Sequence, residues 1–445
     1  MIKRRQFIGL LGGSALGLLS GRAFSEDEDV LSRHIAASVP GPTGASGRVV
    51  VVGGGMAGAT VAKFLRLWGG SQVQVTLVEQ NPDYPSSILS NLVLNGSTTM
   101  DRITFKYDTL KNVYGINVVQ GTVSGGDIDK AQKRIRAGNA WYPYDRLVLA
   151  PGIEFDYSGL PGLEGLSYSQ LPLHAWIGGA QTTALRNQIA NMPSSGTVVI
   201  TIPPAPYRCP PGPYERACVI ADYLKKKKRG ARVIVLDANP DIVAERHGFS
   251  TAFAGIYGGI IEYYPGAVIT GIDVATRTLQ TNVGTIRASV LNVIPPQTAA
   301  KVVMDAGLVP FGSVRASVNV LSYESTIAPA IHVIGDSAAA SPQPMAGHLA
   351  NAQGKVCADA IVRILSGRAV DPSPVTNSAC FSPITAKTAS WLSVVYAYKP
   401  PLPGSTGFGR MEAVPASFAE AREASSEHYE KMFKWFGNLM SDTFA

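Results

Sequence analysis

The sequence predicts an α/β protein made of two doubly wound units, the first interrupted by the second, and a C-terminal α+β segment. Three observations predict it. An apolar strand at residues 49–52 runs into a glycine-rich turn and then a helical pattern. A second strand–loop–helix–strand unit begins at residue 196, and a buried-strand pattern returns after it at 331–334. The length agrees, because 445 residues exceed one ordinary core and imply two or three domains.

The first residues form an address label. Lys3, Arg4 and Arg5 precede an apolar, glycine-rich run over 7–20, and small residues near Ala23 and Ser25 offer a cleavage site. This is the layout of a bacterial export signal over residues 1–25, and the adjacent arginines point to the twin-arginine route into the periplasm. The apolar run falls short of the ~20 residues that span a bilayer. Removing the signal takes away Lys3, Arg4, Arg5 and Arg22, so the formal charge falls from +7 to +3. The basic balance is therefore partly a property of the signal, and nothing argues for nucleic acid as a partner. The lysine run at 225–228 ends a predicted helix, where cations suit the helix dipole, and reads as a solvated face. No other segment is apolar enough to span a membrane, so the mature protein is expected to be soluble.

After a linker over 26–45 the chain reads GRVVVVGGGMAGATVAKFLRLWG. The unbroken run at 49–52 suits a parallel strand buried on both faces. Gly53, Gly55 and Gly58 then form G-x-G-x-x-G. Gly53 permits the tight turn, Gly55 lets a pyrophosphate approach the backbone, and Gly58 lets the helix pack close to the strand. Met56 and Ala57 lead into a helix over about 57–68, whose N-terminus offers free N–H groups and partial positive charge to phosphates. A second strand over 73–78 ends at Glu79, 21 residues after Gly58, where an acid accepts hydrogen bonds from a ribose. Strand, triplet, helix, strand and acid in that order predict a dinucleotide.

Two later segments point to FAD. Residues 144–152, YDRLVLAPG, form a strand leading to a turn, and residues 331–336, IHVIGD, form another strand ending in Gly-Asp. The pair resembles the two-dinucleotide-domain flavoproteins. That resemblance implies FAD, places Ala150, Gly152 and Gly335 at the cofactor, and gives Asp336 the flavin ribityl chain. The following helix, over about 347–355, would aim its N-terminus at the flavin ring. The FAD-binding domain is thus expected to be discontinuous, over 46–155 and 300–368.

The region between, 156–299, is expected to be a Rossmann-like domain that has lost its nucleotide fingerprint. After the strand at 196–201 comes IPPAPYRCPPGPYERA instead of a second glycine motif. Prolines 203, 204, 206, 210, 211 and 213 remove N–H donors that would bind phosphate, and Tyr207 and Arg208 are too bulky for close backbone approach. A helix over about 214–226 and a strand over 233–236 ending at Asp237 complete the unit. The same loop carries Cys209, held by prolines. Of the other cysteines, Cys380 lies in loop-like sequence, while Cys218 and Cys357 sit in predicted helices and read as buried core thiols. No spacing among the four is a zinc pattern, and no C-x-x-C-H occurs for haem attachment. Cys209 and Cys380 are 171 residues apart, so only the fold can bring them within bonding range.

Together these residues resemble the flavoprotein subunit of flavocytochrome c sulfide dehydrogenase over nearly the whole mature chain. The segments are VVVVGGGMAGAT, DYPSSILSN, YDRLVLAPGIE, LPLHAW, RCPPGPYERA, IPPQTAAK, HVIGD, ANAQGKV and the C-terminal Asp442-Thr443-Phe444. RCPPGPYERA is the most specific. The resemblance implies sulfide or a related sulfur compound as substrate, a c-type cytochrome as partner, a redox disulfide between Cys209 and Cys380, and Glu215 as a nearby acid. It also implies that hydrosulfide opens the disulfide and leaves a persulfide on one cysteine. Two positions depart from the family. Ser87 stands where the best-known members attach FAD through a cysteine, so FAD is expected to be noncovalent, with Ser87 and Asn91 beside it. Met345 stands where relatives carry a lysine. The C-terminal domain, 369–445, is a candidate docking face for the cytochrome, with Trp435, Phe436 and Met440 at helical spacing reading as core. The competing readings are a sulfide:quinone oxidoreductase, which needs a quinone channel and a membrane-binding helix, and a flavin-loaded accessory protein of a periplasmic sulfur-oxidation system. An NAD-dependent reductase is disfavoured by the proline-rich loop.

Overall fold

The computed structural model describes residues 44–404 and 407–445. The expected export signal and the linker up to residue 43 lie outside the described residues. Strand β1 (Gly47–Val52), helix α1 (Met56–Gly69) and strand β2 (Val73–Glu79) follow the predicted order. Strands β3 (Asn117–Gln120) and β4 (Arg146–Leu149) complete the first part of the sheet. Val49, Val50, Val51 and Val52 are all buried, because β1 is central and pairs in parallel with β2 on one side and β4 on the other.

The second unit is built from β5 (Thr197–Ile202), α2 (Gly212–Lys227), β6 (Arg232–Asp237), α3 (Arg246–Ala254), β7 (Ile261–Pro265) and β8 (Val290–Val293). Its four strands are parallel, in the order β7-β6-β5-β8. Helix α2 begins two residues earlier than predicted, since Pro213 sits in its first turn, where a missing N–H costs nothing. Lys225, Lys226 and Lys227 close that helix on its solvated side.

The chain then returns to the first sheet. Strands β9 (Val318–Asn319), β10 (Glu324–Ser325) and β11 (Ile331–Val333) extend it to the order β9-β10-β11-β4-β1-β2-β3, with β11 parallel to β4. One sheet thus draws on two distant segments, as the sequence implied. The order reverses at β1 and β4, which opens a crevice at their C-terminal ends, where open α/β sheets bind ligands.

Helix α4 (Gly347–Leu365) packs against α1, and the contact is close enough that a β-carbon on Gly354 would lie 2.8 Å from the Ala57 carbonyl oxygen. The C-terminal segment forms an antiparallel sheet of β12 (Val375–Pro383), β13 (Ala389–Lys399) and β14 (Arg410–Ala413), with β15 (Ala419–Glu420) also pairing β13. The last helix, α5 (Ser426–Phe444), returns to the first unit. Asn351 Nδ2 donates to Thr60 Oγ1 at 2.9 Å and Thr443 Oγ1 at 3.0 Å, tying α1, α4 and α5 together. Phe444 stacks on Tyr84 and Phe105, with ring centroids 4.9 Å and 5.7 Å away. Phe436 and Met440 are buried as expected for core. Among the described residues, no helix is long and apolar enough to cross a membrane.

Candidate active site

The crevice is a cavity of about 310 Å³ lined by the first unit, by the loop and first turn of α2 in the second, and by the C-terminal segment, within the ~300–1,000 Å³ usual for ligand sites. At its β1 end the glycine motif does what its spacing demands. Gly53 has φ +96°, and a β-carbon there would lie 2.4 Å from the Ala150 carbonyl oxygen. A β-carbon on Gly58 would lie 1.8 Å from the Gly53 carbonyl oxygen, so the helix rests directly on the turn. One on Gly55 would meet only Tyr84, at 3.8 Å, and otherwise fill the cavity. Helix α1 has no side-chain cap and no acid in its first turn, so the N–H groups at Met56 and Ala57 face the cavity with their partial positive charge unanswered. Glu79 lines the same end; Gly54 N–H donates to its Oε2 at 2.6 Å, and Asn81 N–H donates to its Oε1 at 2.9 Å.

Ala150, Gly152, Gly335 and Asp336 line the cavity beyond the turn, and Gly152 and Gly335 both take positive φ, +80° and +71°. Burial raises the Asp336 carboxyl group above its usual range, opposed by Arg208 and Arg315. Arg208 Nη1 lies 4.0 Å from Asp336 Oδ2. Its Nη2 is buried without a hydrogen-bond partner. An orphaned guanidinium nitrogen, a helix N-terminus without a cap and a glycine cradle that a β-carbon would fill together fit a flavin adenine dinucleotide. Arg208, noted in the sequence only as too bulky for a nucleotide loop, is a member of this site; the signal was a cation placed inside a proline-rich, buried loop.

The two singled-out cysteines reach this cavity from different directions. Cys209 lies in the loop before α2, with φ +57°, a conformation that a residue with a β-carbon holds only under constraint. The constraint is visible: Cys209 N–H donates to the Met345 carbonyl at 2.7 Å, and Arg208 N–H donates to Gln297 Oε1 at 2.8 Å. Cys380 was expected in a loop and instead lies within β12, paired with Leu392 of β13. The long antiparallel pairing across 375–383 outweighs the local loop-forming residues Pro372, Pro374 and Asn377. Both thiols line the cavity, neither is bonded in this structure, and Cys209 disfavours ionisation of Cys380. Burial pushes the Cys209 thiol up to about 12, with Arg208 and the Gly212 N–H pulling it back. Cys380 is pushed well above its ordinary value, first by burial and then by Cys209. Cys218 and Cys357 are fully buried in α2 and α4, as their helical positions suggested.

Glu215, in the first turn of α2, is 8 % exposed and lines the cavity. Asn91, in the short helix Asn91–Asn95, was expected beside the cofactor. It lines the cavity, and its side chain also bonds to protein: Nδ2 donates to Glu215 Oε1 at 2.9 Å and to the Gly212 carbonyl, and Oδ1 accepts from Arg216 Nε at 2.9 Å. It therefore stands at the cavity wall, as expected, and also holds Glu215. Arg216, 1 % exposed, also donates to the carbonyls of His174 and Ala175 and packs over Trp176, 4.8 Å away. Ser87 lines the cavity and its Oγ accepts from Gly178 N–H at 3.1 Å.

Burial raises Glu215 from an ordinary 4.5 to about 8, against the opposing bond from Asn91. The folded chain therefore holds a proton that an unfolded chain has released, and stability must fall as pH rises through about 8. The urea unfolding midpoint of the protein is expected to drop between pH ~5 and ~9, and Glu215→Gln should flatten part of that slope. An equal slope in the variant would show that Glu215 does not carry the proton.

Asp237, at the end of β6, is fully buried, and its Oδ2 accepts from the hydroxyls of Tyr214 at 2.7 Å and Tyr263 at 2.9 Å. Its Oδ1 accepts from Asn239 N–H and Nδ2. The acid that would hold a ribose is thus sealed by tyrosines and an asparagine.

Fold and site define a flavin-dependent oxidoreductase built on two dinucleotide-domain units. Residues 47–190 match the pyridine nucleotide-disulphide oxidoreductase family. Within that class, residues 182–295 match the sulfide dehydrogenase [flavocytochrome c] flavoprotein chain, central, in agreement with the resemblance drawn from RCPPGPYERA. Among solved structures, the fold is similar to the sulfide:quinone oxidoreductase from Aquifex aeolicus, with TM-score 0.67, 17% identity, and 89% of this chain and 91% of that chain covered. It is also similar to NDH2 from Plasmodium falciparum, with TM-score 0.64, 10% identity and coverage of 89% and 97%. A third is a NAD-dependent persulfide reductase from A. fulgidus, with TM-score 0.56, 16% identity and coverage of 79% and 71%. At these identities the likeness is one of fold.

Proposed function

We propose that this chain is the flavoprotein of a periplasmic sulfide dehydrogenase, oxidising sulfide at Cys209 and Cys380 and passing the electrons to a c-type cytochrome. The observation that carries the reading is the convergence of two thiols, from a strained loop and from a remote strand, in the cavity that the dinucleotide crevice opens into. FAD is held noncovalently, since Ser87 offers a hydroxyl where a thioether needs a sulfur. When bound, FAD supplies a two-electron acceptor that can release electrons singly. The glycine turn and the α1 N-terminus hold its phosphates, Asp336 and Arg208 its polar chain.

The cysteines do the sulfur chemistry. With Cys209 and Cys380 joined, hydrosulfide forms a new S–S bond to one sulfur as the old S–S bond breaks. The attacked cysteine becomes a persulfide carrying the hydrosulfide proton, and the other leaves as a thiolate holding the electron pair. Glu215, which burial keeps protonated below about pH 8, gives its proton to the persulfide-bearing cysteine sulfur as a second hydrosulfide bonds the outer sulfur and the persulfide S–S bond breaks. Arg208 and the Gly212 N–H favour a thiolate at Cys209. The export signal read at residues 1–25 and the match of the central region to a flavocytochrome c chain support the periplasmic setting and the cytochrome partner.

An anaerobic sulfide titration of the purified protein is expected to bleach the flavin absorption, and cytochrome c added afterwards should be reduced. A flavin that ignores sulfide overturns the substrate assignment. Reduction of a soluble quinone without reduction of cytochrome c would transfer the reading to a sulfide:quinone oxidoreductase. NADH is expected to leave the flavin oxidised under the same conditions, because Asp237 is already saturated by Tyr214, Tyr263 and Asn239. Bleaching by NADH would show that this slot still opens.

A further inference from the structure

A second buried carboxyl group stands by the cysteine pair without a role in the chemistry above. Glu245 is 3 % exposed and lies immediately before α3, in left-handed backbone at φ +51°. A residue with a β-carbon takes that conformation only where its surroundings hold it. Ser382 Oγ donates to Glu245 Oε1 at 2.6 Å, while Oε2 is buried with no hydrogen-bond partner. Ser382 is two residues along β12 from Cys380, so the two side chains share a face of the strand. Ser378 sits two residues to the other side of Cys380, and its buried Oγ also lacks a partner.

The groups that face Glu245 are mostly acidic or neutral. Glu215 and Cys218 come from α2, Cys209 from the preceding loop, Cys380 from β12 and Glu420 from β15. Ser390 of β13 adds a second hydroxyl. Among the described residues, no ion pair includes Glu245, and its neighbour Arg246 pairs with Asp241. Burial pushes the Glu245 carboxyl group up to about 7, against the opposing bonds from Ser382 and Ser390.

We infer that Glu245 is a positioning residue for Cys380, coupled to it through Ser382 and direct charge so that carboxylate and thiolate are not present together. This rests on reading Cys209 and Cys380 as the redox pair. Opening of the disulfide by hydrosulfide creates one new thiolate. If that thiolate is on Cys380, a proton on Glu245 removes a buried negative charge that would oppose it. Oxidation of the pair removes the thiolate charge and lets Glu245 release the proton.

The coupling can be measured without sulfide or cytochrome, by the rate of iodoacetamide alkylation of Cys380 in the reduced, FAD-loaded protein, resolved by peptide mass spectrometry across pH. Above about pH 7 the parent carries charge on Glu245 that opposes the thiolate. Glu245→Gln removes that charge, so Cys380 should react roughly three- to tenfold faster than the parent near pH ~9 and equally fast near pH ~6. A rate ratio that stays constant across this range overturns the coupling. Ser382→Ala is the companion variant should Glu245→Gln fail to hold flavin. It removes a bond that favours the carboxylate, so the break in the alkylation profile should move to higher pH, and an unmoved break also overturns the proposal. Loss of sulfide reactivity with this coupling intact would count against the proposed activity and not against the coupling.

Discussion

Cys209→Ser and Cys380→Ser are each expected to give a protein that keeps its flavin and no longer responds to sulfide, with the rate of flavin bleaching down ~10³-fold or more. Serine is close in size to cysteine, and both positions stand at the cavity wall, so neither change opens a large void. What is lost is the S–S bond that hydrosulfide must attack, and an alcohol oxygen cannot replace it. Dithionite should bleach both variants normally, which separates loss of the sulfur chemistry from loss of the cofactor. The geometry also predicts a difference between them. Cys209 is held at φ +57° by its bond to Met345 and sits over the first turn of α2, whereas Cys380 is fixed by regular strand pairing. Cys209→Ser also removes one of the groups that hold the proton on Cys380, so the remaining thiol should ionise more readily than it does in the reduced parent. Full sulfide-driven bleaching in either variant would remove the disulfide mechanism.

The second large effect is expected at the glycine turn, where two neighbouring glycines should fail for different reasons. In Gly58→Ala the new β-carbon would stand 1.8 Å from the Gly53 carbonyl oxygen, so α1 must move off β1. Forced overpacking of this kind costs about 1–3 kcal/mol or more, and here it also displaces the N–H groups that face the phosphates. The variant should be less stable and should be purified with little flavin. In Gly55→Ala the new β-carbon meets only Tyr84, at 3.8 Å, so the flavin-free fold should be as stable as the parent. The methyl group instead occupies the space that a pyrophosphate needs. Urea denaturation of the flavin-free proteins, set beside flavin content after gel filtration, distinguishes the two cases. Equal unfolding midpoints for Gly58→Ala and the parent would refute the close helix–strand contact.

The local chemistry of the first unit was legible because each signal is short-range. Apolar β-branched residues at 49–52 form a strand buried on both faces, glycines at 53, 55 and 58 set a turn that other residues cannot make, and both follow from steric rules within a few residues. The replacement of the second glycine motif by prolines was legible for the same reason. So was the burial of Cys218 and Cys357, which follows from helical periodicity. Cys380 was misplaced because strand pairing over 375–383 depends on a partner strand that local composition does not encode. The position of Asn91 at the cavity was expected from its segment, and only the approach of α2 shows its amide also divided between Glu215 and Arg216.

By itself, the sequence determined a dinucleotide turn, a first unit split by a second, and a second unit whose nucleotide loop is gone. The tertiary structure alone decided the protonation state of the acids and brought in Glu245. In the sequence Glu215 is marked only through the family resemblance of its loop, and Glu245 looks like an ordinary solvated carboxylate in a polar turn. Burial makes them proton holders, at Glu215 even against the neighbouring Arg216, and burial is a property of everything packed around a residue. The same holds for the cysteine pair: 171 residues of chain separate Cys209 from Cys380, and only the packing of β12 and the C-terminal segment over the crevice puts both thiols in one cavity.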